Sequence, residues 1–156
     1  MDPSDRLAQR LALGIPALLL GGAYVSQYVF GLYPCEMCWW QRWPHFAALA
    51  LALASTVLPA KRAWIAAAAG GIFTSGLIGG FHAGVEYGWW EGITTCATPM
   101  VGEGGDLLDA IVNAPLIRCD QAPWTLAGIS LAGFNALLSI GSAFAIWVLL
   151  AARSRA

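Results

Sequence analysis

Four long stretches with at most one formal charge leave few folds open to this chain. Leu11–Phe30 holds 20 residues and no charge, Trp39–Leu58 holds 20 and only Arg42, Ala63–Val85 holds 23 and none, and Trp124–Leu150 holds 27 and none. A hydrocarbon layer of about 30 Å, at about 1.5 Å of rise per residue, is crossed by about 20 apolar residues in a helix. In lipid each backbone group must find its partner within its own segment, so spans 11–30, 39–58, 63–85 and 124–150 are expected to be helices. The expected fold class is an all-α integral membrane protein, a four-transmembrane-helix bundle forming a single membrane domain over 1–156. Composition agrees: 58% of residues are hydrophobic and 11% charged, against about 25% charged in soluble domains. A net charge of −1 offers nothing to a nucleic-acid partner. The first run is longer than the apolar core of about 7–15 residues in a signal peptide. Its flank mixes Asp2 and Asp5 with Arg6 and Arg10, so it is expected to be retained.

Lys and Arg set the orientation. Both termini and the 59–62 turn share one side, with Arg6, Arg10, Lys61, Arg62, Arg153 and Arg155, while the other side has Arg42 and Arg118. The termini are therefore expected in the cytoplasm. Loops 31–38 and 86–123 then lie on the far side, which in a bacterium is the periplasm. Tryptophans cluster near the span ends, as an aromatic belt does, and need no chemistry. Gly76, Gly80 and Gly84 recur every four residues in the third span, which suits close approach of a neighbouring helix. In loop 86–123, the stretch GDLLDAIVNAPL places Leu107, Leu108, Ile111 and Val112 on one side. A short interfacial helix is expected there, resting on the membrane surface or covering a partner's groove.

All four cysteines, Cys35, Cys38, Cys96 and Cys119, fall on the expected periplasmic side, where disulfides form and persist. Cys35 and Cys38 make a C-x-x-C, too small a ring for a useful staple, and that spacing points to redox or metal chemistry. Cys96 and Cys119 lie 23 apart in the long loop, where a structural staple is plausible. Four cysteines allow three pairings. Zinc is set aside because only one C-x-x-C knuckle exists and the thiols face an oxidising compartment; no metal is expected. Haem is set aside because His45 and His82 are the only histidines, too few for pairs at two depths. Thiol–disulfide exchange remains, and a relay inside a membrane needs a lipid-soluble electron acceptor such as a quinone. Cys38, Arg42 and His45 stand at i, i+4 and i+7, one face of a helix. Arg42 there favours a Cys38 thiolate and can support charge developing on a quinone oxygen. Pro44 is expected to kink this helix and to disturb the alignment of His45. Arg118 and Asp120 flank Cys119 with opposite charges.

The chain resembles the DsbB family of bacterial disulfide-bond-formation proteins over essentially its whole length. The resemblance rests on CEMCWWQR opening the second span, FHAGVEYGWW closing the third, and later cysteines in TTCATP and IRCDQAPW. It implies an inner-membrane enzyme that reoxidises a periplasmic thiol oxidase of the DsbA type and passes the electrons to ubiquinone or menaquinone. By position it implies a Cys96–Cys119 loop disulfide, with Cys96 attacked by the partner's thiolate and the freed Cys119 engaging Cys35. Cys38 would face the quinone, with Arg42 and His82 completing the quinone site. Two other readings are kept. One is a vitamin K epoxide reductase-like quinone enzyme, whose C-x-x-C lies late in the bundle rather than at span 2. The other is a non-enzymatic membrane scaffold with structural disulfides.

Overall fold

The computed structural model describes residues 1–94 and 117–152. Cys96 and the stretch expected to form an interfacial helix lie outside the described residues.

The uncharged runs become helices. α1 spans Pro3–Tyr28, α2 Glu36–Val57, α3 Lys61–Glu86 and α4 Leu131–Ala152. α1 starts on Pro3, well before its uncharged run, because a proline fits the first helical turn, where no N–H partner is required. α3 follows Ala60, which takes the left-handed conformation at φ 55° and turns the chain back after α2. Three helices, α1, α3 and α4, are long and apolar enough to cross a membrane. α2 has 22 residues but carries Gln41, Arg42, Pro44 and His45 in its first half, which dilutes its apolar character. The last helix begins later than the expected 124, since two short strands, β1 (Thr125–Leu126) and β2 (Ile129–Ser130), come first. Ala127 at φ 51° and Gly128 at φ 78° make the tight turn between them, the positive-φ pair such a two-residue hairpin requires.

α3 packs most extensively against α2 and α4, and α1 also lies against α2 and α4. The shared core is built from small and branched residues: Ala8, Ala12, Ala48, Ala52, Ile65, Ala68, Ala69, Ile72, Ala143 and Ile146. Short side chains let helices approach closely, which is how association is gained where lipid removes the hydrophobic drive. The glycines act differently from a single stripe. A methyl group at Gly76 would sit 2.7 Å from Ile140 Cγ1, so that glycine sets the α3–α4 approach. Gly79, off the expected stripe, would meet Asn135 Nδ2 at 2.9 Å and Gln41 Oε1 at 3.1 Å. At the end remote from Cys35, Arg62 pairs with the buried Asp5 at 3.1 Å and also donates to Leu150 O, tying α1, α3 and α4 together.

Candidate functional site

Cys35 caps the N-terminus of α2, and Cys38 lies in that helix's first turn. Unpaired N–H groups and the helix dipole favour negative charge there. Cys35 is buried, 3% exposed, and its thiol donates to Cys38 Sγ across 3.3 Å. That hydrogen bond, reinforced by burial, pushes the Cys35 thiol up to about 12, although His82 beside it acts in the opposite sense. Cys119 packs into the same buried cluster with Cys35, Met37 and Val85. The sulfurs of Cys35 and Cys119 and a ring nitrogen of His82 lie within 4.8 Å of one another. Cys35, Cys38 and Cys119 are not bonded to one another. Cys119 accepts a hydrogen bond from Thr94 Oγ1 at 3.3 Å, and burial raises its pKa. Arg118 donates twice to Asp120, at 2.8 and 2.5 Å. The two charges beside Cys119 thus neutralise each other, and Asp120 is held below its usual range by Arg118.

Behind Cys35 runs a chain of buried polar side chains whose donors are fixed by backbone carbonyls. Gln41 Nε2 donates to Met37 O at 3.3 Å, which orients its amide, and so also donates to His82 Nδ1 at 2.9 Å. His82 Nδ1 is therefore the acceptor, and the neutral ring carries its proton on Nε2. That nitrogen lies 3.6 Å from Cys35 Sγ and 3.8 Å from Glu86 Oε1. Asn135 Nδ2 donates to Ser75 O at 3.2 Å and to Gln41 Oε1 at 2.8 Å. Its Oδ1 consequently accepts from His45 Nε2 at 3.0 Å and from Ser139 Oγ at 2.9 Å. α2 runs through Pro44 without a break. Ser75 Oγ donates at 2.8 Å to Gln41 O, a carbonyl of the turn the proline perturbs. His45 accordingly keeps its place on the inner face, 3% exposed.

Arg42 is committed to α1. Its guanidinium donates to Gln27 Oε1 at 2.7 Å and to Ala23 O at 3.3 Å, and lies 4.9 Å from the Tyr24 ring centre and 4.8 Å from that of Trp39. It is 6% exposed. Among the described residues no carboxylate lies within ion-pair distance of it. The rings and carbonyl oxygens hold a buried cation whose positive field is left for something else.

Two cavities meet at this point. The inner one, of about 240 Å³, is bounded by Leu18, Leu19 and Ala23 of α1, Cys38, Arg42 and His45 of α2, His82 and Glu86 of α3, and Phe134 and Asn135 of α4. The outer one, of about 260 Å³, is bounded by Cys35, Cys38, His82 and Glu86 together with Gly31, Arg118 and Gln121. Cys38, His82 and Glu86 face both.

The expected site residues Cys35, Cys38, Cys119, Arg42 and His82 thus converge, and Cys96 lies outside the described residues. Gln41, Glu86, Asn135 and Ser139 were not singled out from the sequence, and neither was the packing of Trp39 on Arg42. The available signal was polarity inside apolar spans, since such residues rarely face lipid and mark functional interiors. Cys35, His82 and Cys119 have the spacing of a metal-ligand trio. The hydrogen bonds argue against that use. A metal-bound histidine donates its second ring nitrogen to an acceptor, whereas His82 Nδ1 receives from Gln41.

The family profile described as "Disulfide bond formation protein DsbB" matches residues 5–150. A Disulfide bond formation protein B of Azoarcus sp. (strain BH72) is 29% identical over 160 residues, covering 89% of this chain and 88% of its own. Uncharacterized protein RP370 of Rickettsia prowazekii (strain Madrid E) is 23% identical over 131 residues, 81% of this chain and 76% of its own. No solved structure matches the chain.

Proposed function

The chain belongs to the DsbB family, and on that premise we propose that it reoxidises a DsbA-type thiol oxidase of the periplasm and passes the electrons through two cysteine pairs to a membrane quinone. The family membership and the three membrane-capable helices make it a membrane thiol–disulfide oxidoreductase. On this proposal it lies in the bacterial inner membrane, with cytoplasmic termini and with its cysteines on the periplasmic side.

The observation that carries the reading is the position of Cys35, 3.3 Å from Cys38 and within 4.8 Å of Cys119. A disulfide needs sulfurs about 2.0 Å apart, so small shifts let Cys35 pair with either neighbour. In the proposed sequence the partner's thiolate attacks Cys96 of a Cys96–Cys119 disulfide and forms a mixed disulfide. Cys119 leaves as a thiolate and attacks Cys35 of a Cys35–Cys38 disulfide, which releases Cys38 as a thiolate. The partner's second thiol then displaces Cys96 and leaves the partner oxidised. Cys96 next attacks Cys119, which restores the loop disulfide and leaves Cys35 and Cys38 as the dithiol. The Cys35 thiol, hydrogen-bonded to Cys38 Sγ, has the geometry of a reduced Cys35–Cys38 pair. His82, with its proton on Nε2, supports charge on Cys35 whenever Cys35 is the leaving sulfur.

The inner cavity fits a quinone head group. Its wall is apolar along Leu18, Leu19 and Phe134, a cation stands at Arg42, and two buried polar atoms there, His45 Nδ1 and Glu86 Oε2, have no hydrogen-bond partner among the described residues. A bound quinone, ubiquinone or menaquinone, would supply a two-electron, two-proton acceptor. Cys38, whose sulfur lines this cavity, would face the head group, and Arg42 would supply a donor and positive field for charge on a carbonyl oxygen.

The test uses the purified protein, a reduced DsbA-type partner and a soluble quinone, with quinone reduction followed by absorbance. Cys38→Ser is expected to abolish reduction. Reduction that survives the substitution overturns the scheme.

A further inference from the structure

The acceptor character of His45 has a consequence for what the inner cavity holds. His45 Nε2 points at Asn135 Oδ1, and Asn135 is oriented by the carbonyl of Ser75. The neutral ring must therefore carry its proton on Nε2, which leaves Nδ1 a bare lone pair. That atom is buried, has no partner among the described residues, and belongs to a side chain that lines the cavity. An unmatched buried polar atom costs stability, so its persistence marks a place for a ligand group. The group must be a donor.

We propose that His45 makes the cavity prefer the reduced head group of its quinone, by accepting a hydrogen bond from a quinol hydroxyl. This inference rests on the quinone reading given above. An oxidised head group offers only carbonyl acceptors, which meet a lone pair unfavourably at Nδ1 but find a donor in Arg42. The reduced head group offers hydroxyl donors, which Nδ1 matches. The cavity thus presents a donor cation from one turn of α2 and a bare acceptor from the next. By linkage, tighter binding of the reduced form makes the bound quinone a stronger oxidant toward the Cys35–Cys38 dithiol.

The experiment compares binding of a short-chain quinone and of its quinol to the detergent-solubilised full chain. It is run in a Cys38→Ser background, which stops electron exchange, and read by quenching of tryptophan fluorescence. The quinol is expected to bind about fivefold more tightly, the size of one net hydrogen bond. His45→Phe is expected to bring the ratio close to one by weakening the quinol alone. A merely structural role would weaken both forms alike, and that result, or an unchanged ratio, overturns the inference while leaving the quinone reading in place. Failure of both forms to bind the Cys38→Ser protein overturns the inference and the quinone reading together. A second measurement needs no cavity variant. The chain has only two histidines, so nitrogen-15 spectra of the imidazoles resolve each ring. The bare nitrogen of His45 should shift on addition of quinol and stay in place with quinone; no shift with quinol overturns the proposal.

Discussion

Cys35 answers to three neighbours at once: it donates to Cys38, receives from His82, and touches the cluster that holds Cys119. Its thiol, pushed up to about 12, remains protonated at neutral pH. In the reduced protein, alkylation of Cys35 should be slow from pH 7 to 9 and rise only as the pH approaches 12, which mass-spectrometric labelling rates would show. Cys38→Ala removes the main cause of the shift and should speed labelling of Cys35 at pH 8 by about tenfold or more, each pKa unit being worth a factor of ten in thiolate. Above the ordinary thiol pKa the unfolded chain ionises while buried Cys35 does not, so the reduced protein loses stability as the pH climbs toward 12. The convergence of the C-x-x-C, Arg42, His82 and Cys119 was legible in advance, because residue type and spacing single them out. The tautomers of His45 and His82 were not legible, because they depend on which carbonyl pins each amide, and Met37 O and Ser75 O meet Gln41 and Asn135 only once α2, α3 and α4 are packed.

The helices show a different balance between what composition displays and what packing decides. Three uncharged runs read directly as helices able to cross a membrane. The second was harder, since Pro44 suggests an interruption and the first half of α2 is polar. The helix persists because its unusual groups are answered from other helices: Ser75 reaches Gln41 O, and Gln27 reaches Arg42. The start of α4 was misjudged from hydropathy alone, because Thr125–Ser130 is as apolar as a span but closes as a hairpin on Ala127 and Gly128. Close packing of α3 on α4 yields a sharp expectation. Gly76→Leu should force α4 away, since even a methyl group there would sit 2.7 Å from Ile140 Cγ1, and should cost about 1–3 kcal/mol, as overpacking does. Thermal unfolding in detergent would register it as a midpoint several degrees lower.

Across the whole molecule the two ends do different work. The end with Asp5, Arg62 and Leu150 O is a clasp of three helices remote from Cys35, Cys38 and Cys119. Arg62→Ala should lower stability by about 1–3 kcal/mol, less than a fully buried pair would because Arg62 is partly exposed. Quinone reduction per folded molecule should be unchanged; a matching fall in turnover would show that the two ends are coupled. At the opposite end, Cys38, His82 and Glu86 line both chambers. In the proposed relay, electrons pass between these chambers by exchange of bonds among Cys119, Cys35 and Cys38, sulfurs that already stand side by side.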